Sequence, residues 1–241
     1  MRFHSSPSAE ELRQFDAVIL ATGGKVARPA IPGIDSSRVC TFEDVLRCEV
    51  EGCEYYPTDR QPPIECGAMV LVWGDHFAAA DSAEKLAADG NKVYVVTGNR
   101  EFAQWMEPCH RDVMFKRFAG SNGEGLTGKP FQHAVTVIPN TTVVEIADTG
   151  EVTLMDHRFR KSTLAVDNVV LASVVPEDSL YDQLLEAEIP AVKIGDLKRV
   201  RNLLSAVREG TNAALTIDEG LALNANGALA SRHPTEVTLG A

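Results

Sequence analysis

A glycine turn between two apolar runs is the stretch of the sequence best suited to hold a nucleotide. Met69–Trp73 is an apolar run typical of a strand buried on both faces, and Gly74 ends it. Such a turn binds dinucleotides when it reads Gly-x-Gly-x-x-Gly, because the glycines let the backbone approach a pyrophosphate at a helix N-terminus. Here those positions are Gly74, His76 and Ala79.

The residue types in this turn favour packing over binding. Ala79 suits the fingerprint, since the third position needs only close contact between helix and strand. His76 is not neutral, because its side chain takes the space that the phosphates need. The second apolar run, Val93–Val96, is followed by no carboxylate for a ribose. We predict a packing unit with degenerate nucleotide chemistry, and we keep Gly74, Asp75 and His76 as weak candidates for contacts with NAD(P).

Two further glycine turns follow apolar runs near the two ends of the sequence. Thr22, Gly23 and Gly24 follow the run Ala17–Ala21, and Gly195-Asp196 follow the run Ala191–Ile194. Glycine permits close approach of a backbone to a ligand, although a tight turn alone also explains it. The carboxylate of Asp196 either accepts hydrogen bonds from a cofactor or caps a turn, and both interpretations stay open.

No group of side chains indicates a nucleophile, a general acid or a metal. Cys109 and His110 are adjacent but have no evident orienting partner. Ser121–Lys129 is rich in glycine, yet Pro130 follows it where a phosphate loop needs serine or threonine. Four of the five cysteines fall within Cys40–Cys66 without a C-x-x-C pair, which favours reduced thiols over an iron–sulfur or zinc site. We therefore predict no catalytic residue and no metal ligand.

The elements that position these residues indicate an α/β fold. Ala78–Asp89 has small and apolar residues at helical spacing, and Gly90 provides a left-handed stop. Together with the flanking runs it forms a βαβ unit with parallel strands. A small antiparallel meander is predicted from three later segments, Thr141–Ile146, Gly150–Met155 and Ser162–Ala165.

Helix boundaries are predicted from capping residues. Ser8 resembles an N-cap followed by acids in the first turn, and Thr41 is predicted to form a capping box with Asp44. Pro108 opens a helix that is expected to turn Val113, Phe115 and Phe118 inward. The last helix, Asn202–Asp218, carries small residues on an apolar stripe and is predicted to pack closely on a flat surface.

Length and charge limit the function classes. The 241 residues allow one large or two modest domains, and the net charge of −11 argues against a nucleic acid or an anionic membrane as partner. No apolar run approaches the length of a membrane span, and no secretory signal pattern precedes the first helix. We predict a cytoplasmic protein.

Two strings give the sequence a family resemblance. Asp16–Ile34 resembles the "DxVIxATGxxPRxPxIPG" segment of flavoproteins with two dinucleotide-binding domains, and Ala191–Gly210 resembles their "IGDxxxPRxxxxAVxEG" segment. The match is to the C-terminal region of the 2,4-dienoyl-CoA reductase and trimethylamine dehydrogenase family. It covers about Asp16 to Ile217 with the motifs in the family's order.

The resemblance implies a cofactor site. In the family, the strand-end Gly-Asp meets the flavin ribityl chain, and the following helix faces the cofactor. This implies an FAD-type site at Thr22, Gly23, Gly24, Gly195, Asp196, Arg201 and Asn202. FAD is the expected cofactor, ADP is the variant, and NAD(P) is not expected.

The resemblance also implies missing parts. Family members begin with a flavin barrel that carries FMN and an iron–sulfur cluster, followed by an FAD fingerprint, and neither is found here. The expected partners are therefore a flavin-barrel domain or subunit and, in the amine dehydrogenase branch, an electron-transferring flavoprotein.

The resulting prediction is a Rossmann-like parallel-sheet domain of the inner NAD type over residues 65–175. The two chain ends, residues 1–64 and 176–218, are predicted to form a partial FAD-type domain, and residues 219–241 a flexible tail.

The functional prediction is the nucleotide-binding portion of a flavin-dependent oxidoreductase, similar to enoate reductases or amine dehydrogenases and inactive alone. The alternative is a docking or assembly module that binds a flavoprotein subunit and no cofactor. The sequence leaves the substrate, the electron acceptor and the oligomeric state open.

Overall fold

The computed structural model describes residues 2–46, 64–120 and 131–216. The chain divides into two compact units, which are described separately. Unit 1 comprises the described parts of Met1–Lys25 and Val175–Ala241, and unit 2 those of Val26–Val174. The predicted tail, together with the two cysteines Cys48 and Cys53 and the glycine-rich segment Ser121–Lys129, lies outside the described residues.

Unit 2 is built on a five-stranded, all-parallel sheet in the order β3-β10-β4-β5-β6. Its strands are β3 (Val39–Thr41), β4 (Met69–Trp73), β5 (Lys92–Val96), β6 (Thr136–Ile138) and β10 (Asn168–Leu171). Its helices are α2 (Phe42–Val45), α3 (Phe77–Ala88) and α4 (Pro108–Phe118). The Rossmann-like α/β fold predicted from the sequence is confirmed.

The central strand β4 is buried on both faces, as its unbroken apolar run predicts. Val70 and Val72 pack in the core that includes the alanines of α3, whereas Leu71 packs in a second core with Val143 and Val152. Burying each such side chain contributes about 1.5–3 kcal/mol. The predicted βαβ unit is thus the centre of unit 2.

The second core is covered by the predicted antiparallel meander, which is confirmed. It consists of β7 (Thr141–Ile146), β8 (Glu151–Asp156) and β9 (Lys161–Ala165) in the order β7-β8-β9. The turn between β8 and β9 is held by Asp156, whose carboxylate accepts hydrogen bonds from the amides of Arg158 and Arg160 at 2.8 and 3.0 Å.

Unit 1 contains two neighbouring parallel strands, β1 (Val18–Leu20) and β12 (Ala191–Lys193). Its helices are α1 (Ala9–Leu12), α5 (Ser179–Glu186) and α6 (Leu203–Thr216). A small core joins Leu20, Leu184 and Leu197. A separate two-stranded sheet pairs β2 (Gly24–Val26) with β11 (Val174–Pro176).

At the N-terminal side the compact units are bounded elsewhere than the predicted domains, and the assignment of FAD-type and NAD-type domains stays a prediction. Residues 26–46, which the sequence prediction groups with the chain ends, lie in unit 2. The reason is the pairing of β3 with β10, in which Val39 lies beside Val169 in the inner sheet. The other boundary, at Val174, is close to the predicted position.

Local capping follows the sequence, but two predicted helix faces do so only in part. Ser8 and Thr41 both form complete capping boxes. In α4, Met114 is buried and Val113 is exposed, so the predicted inward face is wrong at Val113. In α6, the predicted stripe is half-buried at its small residues Ala206, Gly210 and Ala213, and a Cβ on Gly210 would lie 3.6 Å from Ile194, whereas Leu203 and Val207 are exposed.

Candidate functional site

The two glycine turns of unit 1 lie at the same edge of its sheet. Strand β1 pairs in parallel with β12, and the amide of Ile194 donates to the carbonyl of Leu20 at 3.0 Å. Because the carboxyl ends of parallel strands meet at one edge, Gly23 and Gly195 begin adjacent turns there. The structure therefore brings together segments separated by most of the sequence, at the edge where α/β folds bind ligands.

The first turn requires glycine and is open. Gly23 has a φ of +79°, a conformation that side chains rarely adopt, and no described atom lies within 4 Å of where its Cβ would be. The turn is held by Glu177, whose amide donates to the Gly23 carbonyl at 3.2 Å. The hydroxyl of Thr22 donates to the Glu177 carbonyl at 3.5 Å, and Gly24 then begins β2. This geometry leaves room for a ligand beside the Gly23 backbone.

The second turn is a short 3-10 segment, Gly195–Leu197, in which Gly195 has a φ of +63°. The Asp196 carboxylate accepts a hydrogen bond from the amide of Arg201 at 3.0 Å. The side-chain oxygen of Asn202 accepts from the amide of Ser205 at 3.0 Å and so caps the start of α6. The sequence left two roles open for Asp196, a cofactor contact and a turn cap. The structure shows the turn cap.

The sequence interpretation missed Glu209, which organises this turn from within α6. Its Oε2 accepts the amide of Gly195 at 2.8 Å, and its Oε1 pairs with the guanidinium of Arg201 and lies 3.5 Å from Nζ of Lys198. The side chain is only 16% exposed. Glu209 precedes Gly210 as the glutamate of the "AVxEG" string does, which was the available signal.

Two opposing effects act on the pKa of Glu209. Burial opposes ionisation, but hydrogen bonds from Arg201 and the Gly195 amide, with the charges of Lys198 and Arg201, outweigh it and hold the pKa below its ordinary value. Glu209 is thus a carboxylate at neutral pH.

In unit 2, Gly74 has a packing role that accounts for it without a ligand. A Cβ at Gly74 would lie 2.3 Å from the carbonyl oxygen of Ala172, which follows β10. The Gly74 amide donates to the Val96 carbonyl at 3.1 Å. Only glycine allows the end of β4 to come so close to its neighbour.

Asp75 is also committed to protein contacts. Its carboxylate accepts the side-chain amide of Asn99 and, at 3.1 Å, the backbone amide of Ala103. These bonds tie the turn after β4 to the segment that follows β5. A carboxylate held at this place repels the phosphates that a dinucleotide would bring.

His76 is the N-cap residue of α3 and makes no side-chain cap hydrogen bond. Its ring lies edge-on to Phe77, with centroids 5.0 Å apart. A shallow hollow at this point is lined by Asp75, His76, Phe77, Ala103, Trp105 and Met106. The third fingerprint position, Ala79, is fully buried in the core of unit 2, as close helix–strand packing requires.

Possible metal ligands and the half-buried thiol of Cys40 bear on whether the described ranges hold a second site. Among the described residues, no cluster of three or more His, Cys, Asp or Glu side chains could hold a metal ion. Burial, with the nearby Asp44 charge, raises the pKa of Cys40 to about 12, so this thiol is not a nucleophile at neutral pH. No helix in the described ranges is long and apolar enough to cross a membrane.

Comparison with known proteins finds similarity to several proteins that are named as oxidoreductases. No protein-family model matches it. It is 28% identical over 204 residues to an NADH oxidase from Thermoanaerobacter brockii, covering 84% of this chain and 28% of the relative. It is 28% identical over 189 residues to a shikimate dehydrogenase (NADP(+)) from Methanosarcina acetivorans, covering 74% of this chain and 63% of the relative. The chain thus spans less than two thirds of either relative.

Solved structures share the fold over nearly the whole chain. A 2-naphthoyl-CoA reductase in complex with 2-naphthoyl-CoA has a TM-score of 0.63 at 25% identity, covering 88% of this chain and 29% of that one. A histamine dehydrogenase from Rhizobium sp. 4-9 has a TM-score of 0.64 at 22% identity, covering 89% and 33%. A flavoprotein disulfide reductase from Escherichia coli has a TM-score of 0.54 at 15% identity, covering 83% and 44%.

Proposed function

We propose that the chain is the nucleotide-binding portion of a flavin-dependent oxidoreductase and that unit 1 supplies half of an FAD-type site. The observation that carries the proposal is the meeting of the Gly23 and Gly195 turns at the ends of two neighbouring parallel strands. Both turns need a positive φ, so glycine is required at each, and the Gly23 turn leaves open space.

The residues present fit the cofactor in their chemistry. The Asp196 carboxylate already accepts the Arg201 amide through Oδ1, and a carboxylate oxygen can accept further hydrogen bonds from ribityl hydroxyls. Thr22, Gly23 and Gly24 supply backbone at the adjacent turn. Bound FAD would supply the redox chemistry, and these residues would hold and orient it. ADP is the variant ligand for the same half-site.

NAD(P) is not part of the proposal. Gly74 is explained by its contact with Ala172, and Asp75 by its bonds to Asn99 and Ala103. The degenerate turn of unit 2 is therefore proposed as a packing and positioning element.

Catalysis is proposed to need a further flavin-bearing barrel, as a domain or a subunit, which would carry any FMN and iron–sulfur cluster. The supporting observation is α6, on which Leu203, Leu204, Val207 and Leu215 are exposed. Exposed apolar surface of this kind typically marks an interaction site.

An electron-transferring flavoprotein is the proposed redox partner of an amine dehydrogenase-like assembly. The alternative of a docking module without a cofactor gains no support from the comparisons, whose proteins are oxidoreductases.

The proposal is tested by the absorbance spectrum of the purified chain and by its thermal stability with FAD, ADP and NADPH. A ligand at a hundred times its Kd raises the free energy of unfolding by about 2.7 kcal/mol. We expect FAD and ADP to raise the unfolding midpoint and NADPH to leave it unchanged. Stabilisation by NADPH alone would contradict the proposal.

A further inference from the structure

Three donors of unit 1 converge on a single carboxylate in the manner of an anion site. The Gly195 amide, the Arg201 guanidinium and the Lys198 ammonium all face the side chain of Glu209. A backbone amide at a positive-φ glycine beside two cations is the donor set that proteins use to bind phosphate groups. Here the carboxylate of Glu209 occupies this set of donors.

The occupant is held firmly. Glu209 uses both carboxylate oxygens, one for the amide at 2.8 Å and the other for the two cations. Its side chain is only 16% exposed, so solvent competes weakly for these contacts. Its lowered pKa agrees with a carboxylate surrounded by donors. A phosphate reaching these donors has to displace this charge.

We propose that Glu209 is an internal substitute for a phosphate group, masking an anion site formed by Gly195, Lys198 and Arg201. The ligand class is a phosphate ester or pyrophosphate, which binds when the carboxylate moves away. The inference rests on the proposed function only in that a dinucleotide cofactor would bring such a group to this edge. While Glu209 is in place, hydroxyl groups can still bind next to Asp196, but the Gly195 amide, Lys198 and Arg201 are not available to a phosphate group.

The test measures binding of inorganic pyrophosphate by isothermal titration calorimetry at neutral pH. Glu209→Gln keeps the side-chain shape and removes the charge, so its amide oxygen can still accept the Gly195 amide. We expect Glu209→Gln to bind pyrophosphate at least tenfold more tightly than the wild-type chain. The double variant E209Q/R201A should lose that gain, because the principal cation is gone.

The matched control is Glu186→Gln on α5, which changes the net charge by the same amount at an exposed glutamate. It should bind pyrophosphate like the wild type. An equal gain in Glu186→Gln would show a general charge effect and overturn the proposal. Unchanged affinity in a folded Glu209→Gln variant would overturn it as well, as would a gain that survives in E209Q/R201A.

A second variant covers the case in which Glu209→Gln does not fold. Glu209→Asp keeps the charge but withdraws it by one methylene, and we expect an affinity for pyrophosphate between those of the wild type and the unmasked site. No gain in a folded Glu209→Asp would count against the proposal.

The masked site and the flavin function can fail separately. Variants that gain pyrophosphate binding but do not bind FAD would support the masked site and contradict the flavin function.

Discussion

The Cβ that Gly74 lacks would lie 2.3 Å from the carbonyl oxygen of Ala172. This one approach explains why a glycine ends β4 in a turn that has otherwise lost the features of a dinucleotide site. The residue that looks like the first position of a phosphate-binding fingerprint is required by the sheet itself.

Gly74→Ala should therefore destabilise unit 2 without a nucleotide being involved. The added methyl group meets backbone that cannot rotate away, and overpacking of this kind costs about 1–3 kcal/mol. Urea denaturation measures the loss. The matched control is Gly98→Ala, where no described atom lies within 4 Å of the added Cβ. An equal loss in both variants would contradict the packing role of Gly74.

His76→Gly should not restore binding of NADPH. The substitution clears the second fingerprint position, but Asp75 remains at the turn through its bonds to Asn99 and Ala103. Glycine is tolerated as an N-cap, so the free energy of unfolding should change by only about 0.3 kcal/mol. Fluorescence titration with NADPH tests this. A tenfold or larger gain in affinity would show that His76 alone blocks the site.

The exposed apolar face of α6 should tolerate polar residues. Replacing Leu203, Leu204 and Val207 by serine should change the free energy of unfolding by no more than about 0.5 kcal/mol per site, as at other exposed positions. The control is Leu184→Ala, at a fully buried residue of the same unit, which should cost about 2–5 kcal/mol. Large losses at the α6 positions would show that this face is covered within the chain.

The β8–β9 turn should depend on the ionised state of Asp156. Backbone and side-chain hydrogen bonds from Arg160, with the amide of Arg158, lower the pKa of Asp156 from 3.8 to about 2 despite some loss of hydration. Since the folded pKa lies below the unfolded one, its contribution is present above pH 3.8 and is lost as the pH falls through about 2.

Hydrogen exchange of the Arg158 and Arg160 amides measures this dependence. Protection should be present at pH 5 in the wild type and reduced at every pH in Asp156→Asn. Equal protection in the two proteins would show that the charge is not what holds the turn.

Much of the fold follows from local patterns in the sequence. The βαβ unit at Met69–Val96, the N-cap at Ser8, the capping box at Thr41 and the three-stranded meander were all predicted, because each depends on residues near one another in the chain. The pairing of strand β10 with β3 was not predicted. That pairing joins distant segments and moves the boundary between the units to Lys25.

The candidate site was predictable only where a motif marks it. The turns at Gly23 and Gly195 carry strings that can be recognised, and they lie on neighbouring strands. Glu209 stands on the next helix and reaches back to the Gly195 amide, a contact that no local spacing rule predicts. The bonds of Asp75 to Asn99 and Ala103 are equally dependent on the folded sheet.

The most direct test of the flavin proposal is the Kd of FAD for the wild-type chain and for Asp196→Ala, measured by flavin fluorescence. Asp196→Asn, whose side-chain oxygen still accepts the Arg201 amide, separates the turn cap from the charge. We expect one FAD to bind per chain and Asp196→Ala to weaken its binding at least tenfold, with the affinity of Asp196→Asn in between. Equal affinity in wild type and a folded Asp196→Ala variant would contradict the placement of the cofactor at this turn.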